Sequence, residues 1–167
     1  KQIKKSYPGL KQDCHLMVKD PLRWVKPFAE AGADYISFHI ESVDFDFKKC
    51  MDVISKIRIY NIKVGIAVNP LTDITKIFPF INFIDFVLIM TVNPGFSGQS
   101  FIENCVRKIS TLKKLYSHMS IQVDGGINLD TIKKCSDAGA IMFVSGSTLF
   151  KSTDMEDTYN KLKDKCT

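Results

Sequence analysis

The chain has 167 residues, 45% hydrophobic and 25% charged, which predicts one compact soluble domain with its own core. Its net charge of +5 is spread among interleaved acids, with no basic stripe or base-stacking platform; this excludes nucleic acid as partner and leaves a mild field favouring a small anionic substrate. Five scattered cysteines (Cys14, Cys50, Cys105, Cys135, Cys166) form no CxxC pair and no apolar run approaches membrane-helix length, so a disulfide framework, a structural zinc site and a membrane span are excluded, and a reducing cytoplasm is the expected compartment.

Taken in chain order, residues 1–10 read as a helix end followed by a turn. Strand-like runs then follow at 12–18, 34–40, 63–68, 84–92, 119–124 and 141–145, each short, apolar and rich in β-branched or aromatic residues. Helical stretches alternate with them near 21–31, 44–60, 72–80, 100–116, 129–138 and 154–165. The 100–116 stretch carries Phe101, Ile102, Cys105, Ile109, Leu112 and Leu115 on one stripe. Pro21 after Asp20, and Asp130 before Thr131, have helix-start chemistry.

Strict strand–helix alternation predicts a parallel sheet with right-handed crossovers. A doubly wound sheet places a Gly-rich fingerprint after its first strand, and none is there. Here the small-residue turns fall late, in residues 92–99, 123–126 and 145–147, as in a (β/α)8 TIM barrel, which binds phosphate after its last strands. Such turns let backbone N–H groups approach an anion with no side chain in the way. The barrel is nevertheless incomplete: six units are present where closure takes eight. The chain begins at Lys1 with no signal-peptide pattern, and the expectation is a partial barrel, residues 1–167 as a single phosphate-binding domain, whose first two units lie outside it. Open strand edges would then be masked by a further segment or by self-association, giving a homo-oligomer.

Strand alternation places His15 and Met17 on one face and Cys14, Leu16 and Val18 on the other; Gln122 and Asp124 likewise share a face. A buried carboxylate is costly without a partner, so Asp124, followed at once by Gly125 and Gly126, requires a metal, a cation or a catalytic role. His15 is either a satisfied core histidine or a site residue. Met17 and Met90 either fill the core or line a site with polarisable thioethers. His39, beside Glu41, either touches the site or has a structural role, and His118 lies in a solvated loop. Cys14 points away from the His15 face, so the two make no nucleophilic pair.

Five segments carry a resemblance that runs through most of the chain: Cys-His-Leu-Met-Val at 14–18, Ala-Gly-Ala-Asp at 31–34, Met-Thr-Val-Asn-Pro-Gly-Phe-Ser-Gly-Gln-Ser-Phe at 90–101, Val-Asp-Gly-Gly-Ile at 123–127 and Val-Ser-Gly-Ser at 144–147. In this order they resemble the ribulose-phosphate 3-epimerases. The resemblance implies interconversion of D-ribulose 5-phosphate and D-xylulose 5-phosphate at C3, a step of the pentose phosphate pathway. It implies a divalent metal (Zn, Fe, Mn or Co) and an acid/base on each face of the carbon. By position, Asp124 is one acid/base and a metal ligand, His15 is a metal ligand bordering substrate, and Met17 and Met90 lie over the enediolate. The phosphate falls to Gly95, Phe96, Ser97 and Gly98, to Gly125 and Gly126, and to Gly146 and Ser147.

Two departures follow. The family's first two strands supply a substrate-binding Ser, two further metal ligands and the second base, and this chain has no residues for them. On that count it is expected to be inactive or nearly so alone. Ser97 also stands where the family has Gly, with its N–H retained. Alternatives are an epimerase of allulose 6-phosphate, a non-catalytic phosphosugar-binding remnant, and another phosphate-binding barrel. An aldolase of that last kind would need an inward Lys, and Lys63 at the start of its strand is poorly placed for it.

Overall fold

A computed structural model describes residues 1–95 and 98–166 and resolves two compact units, Lys1–Ala67 with Thr75–Phe86 and Val68–Ile74 with Val87–Thr167. Strand order follows chain order in each, β1-β2-β3 in the first and β4-β5-β6 in the second, as successive strand–helix crossovers produce. No helix among the described residues is long and apolar enough to cross a membrane.

The first unit contains α1 (Gln2–Ser6), β1 (Asp13–Leu16), α2 (Pro21–Ala31), β2 (Tyr35–His39), α3 (Phe47–Ile59) and β3 (Lys63–Val68). β1 pairs parallel with β2, His15 opposite Ser37, and β2 pairs parallel with β3, His39 opposite Ala67. Asp20 caps α2 by accepting from the Arg23 N–H, with Pro21 in the first turn, where its missing donor costs nothing. α3 begins later than the sequence predicts. A 3-10 turn over Ile40–Val43 and left-handed Asp44 and Phe45 come first, and Asp46 then caps the helix on Lys49 N–H. The expected helix at 72–80 is instead a 3-10 stretch, Ile74–Phe83, with Pro79 inside it; proline supplies no N–H for an α-helical ladder.

Two aspartates tie neighbouring strand starts together. Asp34 accepts from the Gln12 N–H at 2.8 Å and pairs with Lys4 at 2.6 Å. Asp85 accepts from the Val64 N–H at 2.8 Å and pairs with Arg58 and Lys63. Hydrogen bonds from Lys4 and the Gln12 backbone hold the Asp34 carboxyl at about 2. Lys63 is thus engaged at the start of β3, consistent with its exclusion as a buried amine nucleophile.

The second unit contains β4 (Phe86–Met90), α4 (Val106–Leu115), β5 (Ser120–Asp124), α5 (Ile132–Asp137), β6 (Met142–Val144), α6 (Ser147–Phe150) and α7 (Met155–Asp164). β5 pairs parallel with β6, Asp124 opposite Val144. Of the apolar stripe predicted on 100–116, Cys105, Ile109 and Leu112 are buried, whereas Phe101 and Ile102 precede the helical turns and Leu115 is exposed. α5 is shorter than 129–138, and its start depends on Asn128 rather than Asp130: Asn128 Oδ1 accepts from the N–H groups of Asp130 and Thr131. The four-residue α6 has no counterpart among the predicted helices.

Candidate functional site

In the first unit the chemistry gathers at the ends of β1 and β2. His15 Nε2 lies 2.8 Å from His39 Nε2, with the ring centroids 4.9 Å apart and the planes inclined by 21°, so the two rings meet edge to edge. His39 Nδ1 in turn meets Glu41 Oε2 at 3.3 Å. His39 is only 7% exposed, and Ser42 Oγ donates to its carbonyl at 2.6 Å, so ring and backbone are both held. Ser37, opposite His15 in register, is buried with a hydroxyl that has no hydrogen-bond partner. Met17 lies one residue beyond β1 and is 50% exposed.

His39 is the residue this half of the site adds to the sequence-based set. Alternation placed His15 on a face but could not pair it across strands. The available signal was the parallel register, which sets Ser37 beside His15 and therefore His39 two residues further along the same face.

In the second unit the backbone carries the site. Met90, 1% exposed, ends β4. The next residue, Thr91, donates its N–H to the Asp124 carbonyl at 2.8 Å and its hydroxyl to the carbonyls of Asp124 and Gly125. Thr131 Oγ1 donates to the Gly126 carbonyl at 2.8 Å. Ser145 Oγ and Thr148 Oγ1 both donate to the Ile127 carbonyl, at 3.0 and 2.7 Å. Every carbonyl from Asp124 to Ile127 therefore accepts a hydrogen bond from within the unit.

Glycine is obligatory at the centre of this turn. Gly125 has φ +121°, and a Cβ there would lie 2.5 Å from Val92 Cγ2 and 2.8 Å from Val92 N. Gly126 has φ +64°, with a Cβ 3.0 Å from the Phe101 backbone. A Cβ on Gly146 would instead meet nothing within 4 Å. Gly95 and Gly98 flank Phe96 and Ser97, and those two expected phosphate contacts lie outside the described residues. Gln99 Nε2 closes the same loop on the Asn93 carbonyl at 2.6 Å. Ser147 begins α6, directly after Gly146. Asp124 ends β5, half-buried, directly before the anchored turn.

The four hydroxyls that anchor the turn escaped sequence reasoning, which has no means of matching a Thr or Ser to a carbonyl on another loop. Two further expectations concern groups outside the site. The five cysteines are free, with every thiol pushed up by burial, Cys50 and Cys135 to about 12, so none is a ready nucleophile. Among the described residues, no group of three or more His, Cys, Asp or Glu is placed to hold a metal ion.

Comparison with known proteins adds the family. Residues 1–150 match the ribulose-phosphate 3 epimerase family. The chain is 37% identical over 152 residues to the ribulose-phosphate 3-epimerase of Candida glabrata, covering 91% of this chain and 60% of that protein. To the Treponema pallidum ribulose-phosphate 3-epimerase it is 43% identical over 146 residues, covering 84% of this chain and 65% of that protein. The chain thus spans about three fifths of the length of these curated relatives. Among solved structures, 3-keto-L-gulonate-6-phosphate decarboxylase from Vibrio cholerae superposes with TM-score 0.77 at 14% identity, covering 99% of this chain and 76% of that one. The 3-hexulose-6-phosphate synthase of Salmonella typhimurium gives 0.75 at 20% identity, covering 99% and 77%. At that identity the two structures speak for the fold alone, an α/β architecture of the TIM-barrel type.

Proposed function

The chain belongs to the ribulose-phosphate 3-epimerase family, and from that premise we propose that it binds a ketose phosphate and takes part in proton transfer at C3 of D-ribulose 5-phosphate and D-xylulose 5-phosphate. The observation that carries the reading is the turn after Asp124. Its carbonyls are all committed to internal donors, and its two glycines expose the backbone with no side chain in the way. Such an array suits a dianionic phosphate, which needs several donors and no competing acceptors. Gly95 and Gly98, and Gly146 with Ser147, are the further donors this reading assigns to the phosphate.

Asp124 sits at the strand end directly before those donors, so a substrate gripped by its phosphate has a carboxylate available to take and return the C3 proton on one face. Met90, buried at the end of β4, offers an apolar, polarisable surface that limits water around a developing negative charge, and the family resemblance gives Met17, after β1, the same role. His15 carries an imidazole nitrogen and Asp124 a carboxylate oxygen, donor types that each suit zinc, iron, manganese or cobalt. A metal so held would supply Lewis-acid stabilisation of charge on substrate oxygens. The two donors do not amount to a closed ligand set, so binding, orientation and the single proton transfer are the steps ascribed to the chain itself.

Two measurements test this. Titrating inorganic phosphate or ribulose 5-phosphate into 15N-labelled protein should shift the amide signals of Gly125, Gly126 and Gly146 together; unmoved amides at saturating ligand would remove the phosphate assignment. With added divalent metal in D2O, deuterium should enter C3 of the substrate, and Asp124→Asn should abolish that exchange while leaving the phosphate titration intact. Exchange undiminished in Asp124→Asn would remove Asp124 from its role.

A further inference from the structure

Helix α7 is well ordered at its start yet little covered along its length. Asp154 accepts from the Asp157 N–H at 2.9 Å and the Ser152 hydroxyl meets Thr158 Oγ1 at 2.6 Å, but Leu162 alone among the residues of the helix is buried. Met155, Tyr159, Leu162 and Cys166 fall four, three and four residues apart, the spacing of the apolar seam in a coiled coil. Met155 is 47% and Tyr159 55% exposed, so half of that seam faces solvent. Beside it lies a groove of about 380 Å3, whose lining includes Ile132, Ile141, Phe143, Leu149, Tyr159 and Leu162. Ile141, directly before β6, is itself exposed. Apolar surface gathered in this way and rimmed by charge is the mark of an interaction site.

The charges along the seam select the partner. Glu156 and Lys163 stand seven residues, two turns, apart on one flank, and Asp154 and Lys165 mark the ends of the other. Asp157 is already paired with Lys161 at 2.6 Å, whereas Glu156 and Lys163 form no ion pair among the described residues. Acid therefore lies at the start of the helix and base at its end. A uniformly acidic or basic partner would be attracted by one half and repelled by the other; the complement of such a helix is its own reverse. We propose that α7 and the adjacent groove are the docking surface for a second copy of this chain, joined antiparallel about a two-fold axis between Tyr159 and Asn160. In that register Glu156 faces Lys163 of the second copy and Asp154 faces Lys165, so both flanks are matched at once. Tyr159, next to the axis, brings each copy's exposed ring to the other's groove.

Sedimentation equilibrium of the unaltered chain at rising concentration should give a particle of twice the chain's mass. Lys163→Glu sets Glu against Glu156 twice across the axis, and Glu156→Lys sets Lys against Lys163 twice, so each should weaken association at least about 10-fold. Both positions are exposed, and neither change touches the core. Mixed in equal amounts, the two variants regain both pairs, and the mixture should associate as the unaltered chain does. Tyr159→Ala keeps every charge and removes the central contact, and it should weaken association as well. An unaltered chain that stays monomeric at every concentration overturns the proposal and leaves the face to another occupant. A dimer indifferent to both charge reversals or to Tyr159→Ala overturns it too, because the contact then lies elsewhere. So does a mixture that fails to recover what the single variants lose.

Discussion

The two units carry their candidate functional groups in different materials. In the first unit the gathered polar groups are side chains: two imidazoles and a buried hydroxyl on adjacent parallel strands, and a carboxylate on the turn that follows. In the second, it gathers in the backbone, a glycine turn whose carbonyls are held by hydroxyls from three other stretches. A side-chain site tolerates changes in neighbouring backbone so long as its strands stay in register. A backbone site tolerates almost none at its glycines, because the chain path itself is the ligand surface.

That contrast can be broken or sharpened by experiment. The largest effect belongs to Gly125→Ala, which combines a positive φ with a Cβ against Val92; we expect about 3–5 kcal/mol of destabilisation in denaturant titrations together with loss of phosphate binding. Gly146→Ala, with open space around its Cβ, should change stability by less than about 0.5 kcal/mol. Equal effects at the two positions would dissolve the distinction between a packed turn and an open one.

Lys108 comes next. Its ammonium donates to the carbonyls of Asn69, Pro70 and Thr72 and so holds the loop after β3. Lys108→Met strands those acceptors and should cost about 2–3 kcal/mol in the same titration. Thr91→Val preserves shape and removes only the hydroxyl serving Asp124 and Gly125, and about 1–2 kcal/mol is expected, with a weakened phosphate titration.

A smaller effect than these falls in the first unit and depends on pH. The Asp34 carboxyl, held at about 2 by Lys4 and the Gln12 N–H, contributes stability that is complete above its ordinary value near 3.8 and is lost as pH falls toward 2. Trp24, the single tryptophan, reports on this unit. Denaturation followed by its fluorescence should show a loss of about 1 kcal/mol over that window, allowing for solvent screening, and Asp34→Asn should flatten it.

Much of this organisation was legible in the chain. The alternating runs located all six strands within a few residues, and Pro21 after Asp20 marked the start of α2. Positions 125 and 126 were identified as turn glycines because a Gly pair directly after a strand-like run is a local signal; the lack of room for a Cβ, set by Val92 and Phe101, was not legible. The misjudged segments share a cause in local geometry that composition does not announce. The stretch at 72–80 is apolar enough for a helix, yet Pro79 lies within it; α3 waits for two left-handed residues at 44 and 45; α5 takes its start from Asn128.

By itself, the sequence determined which chemical groups exist and on which face of its own strand or turn each one lies, because both follow from backbone periods of two or a few residues. Only the tertiary structure decided their partners. His15 meets His39 across 24 positions, Thr91 reaches Asp124 across 33, and Thr148 reaches Ile127 across 21. Those pairings depend on strand register and loop path, which chain folding sets through burial of the whole core rather than through any residue's own preference.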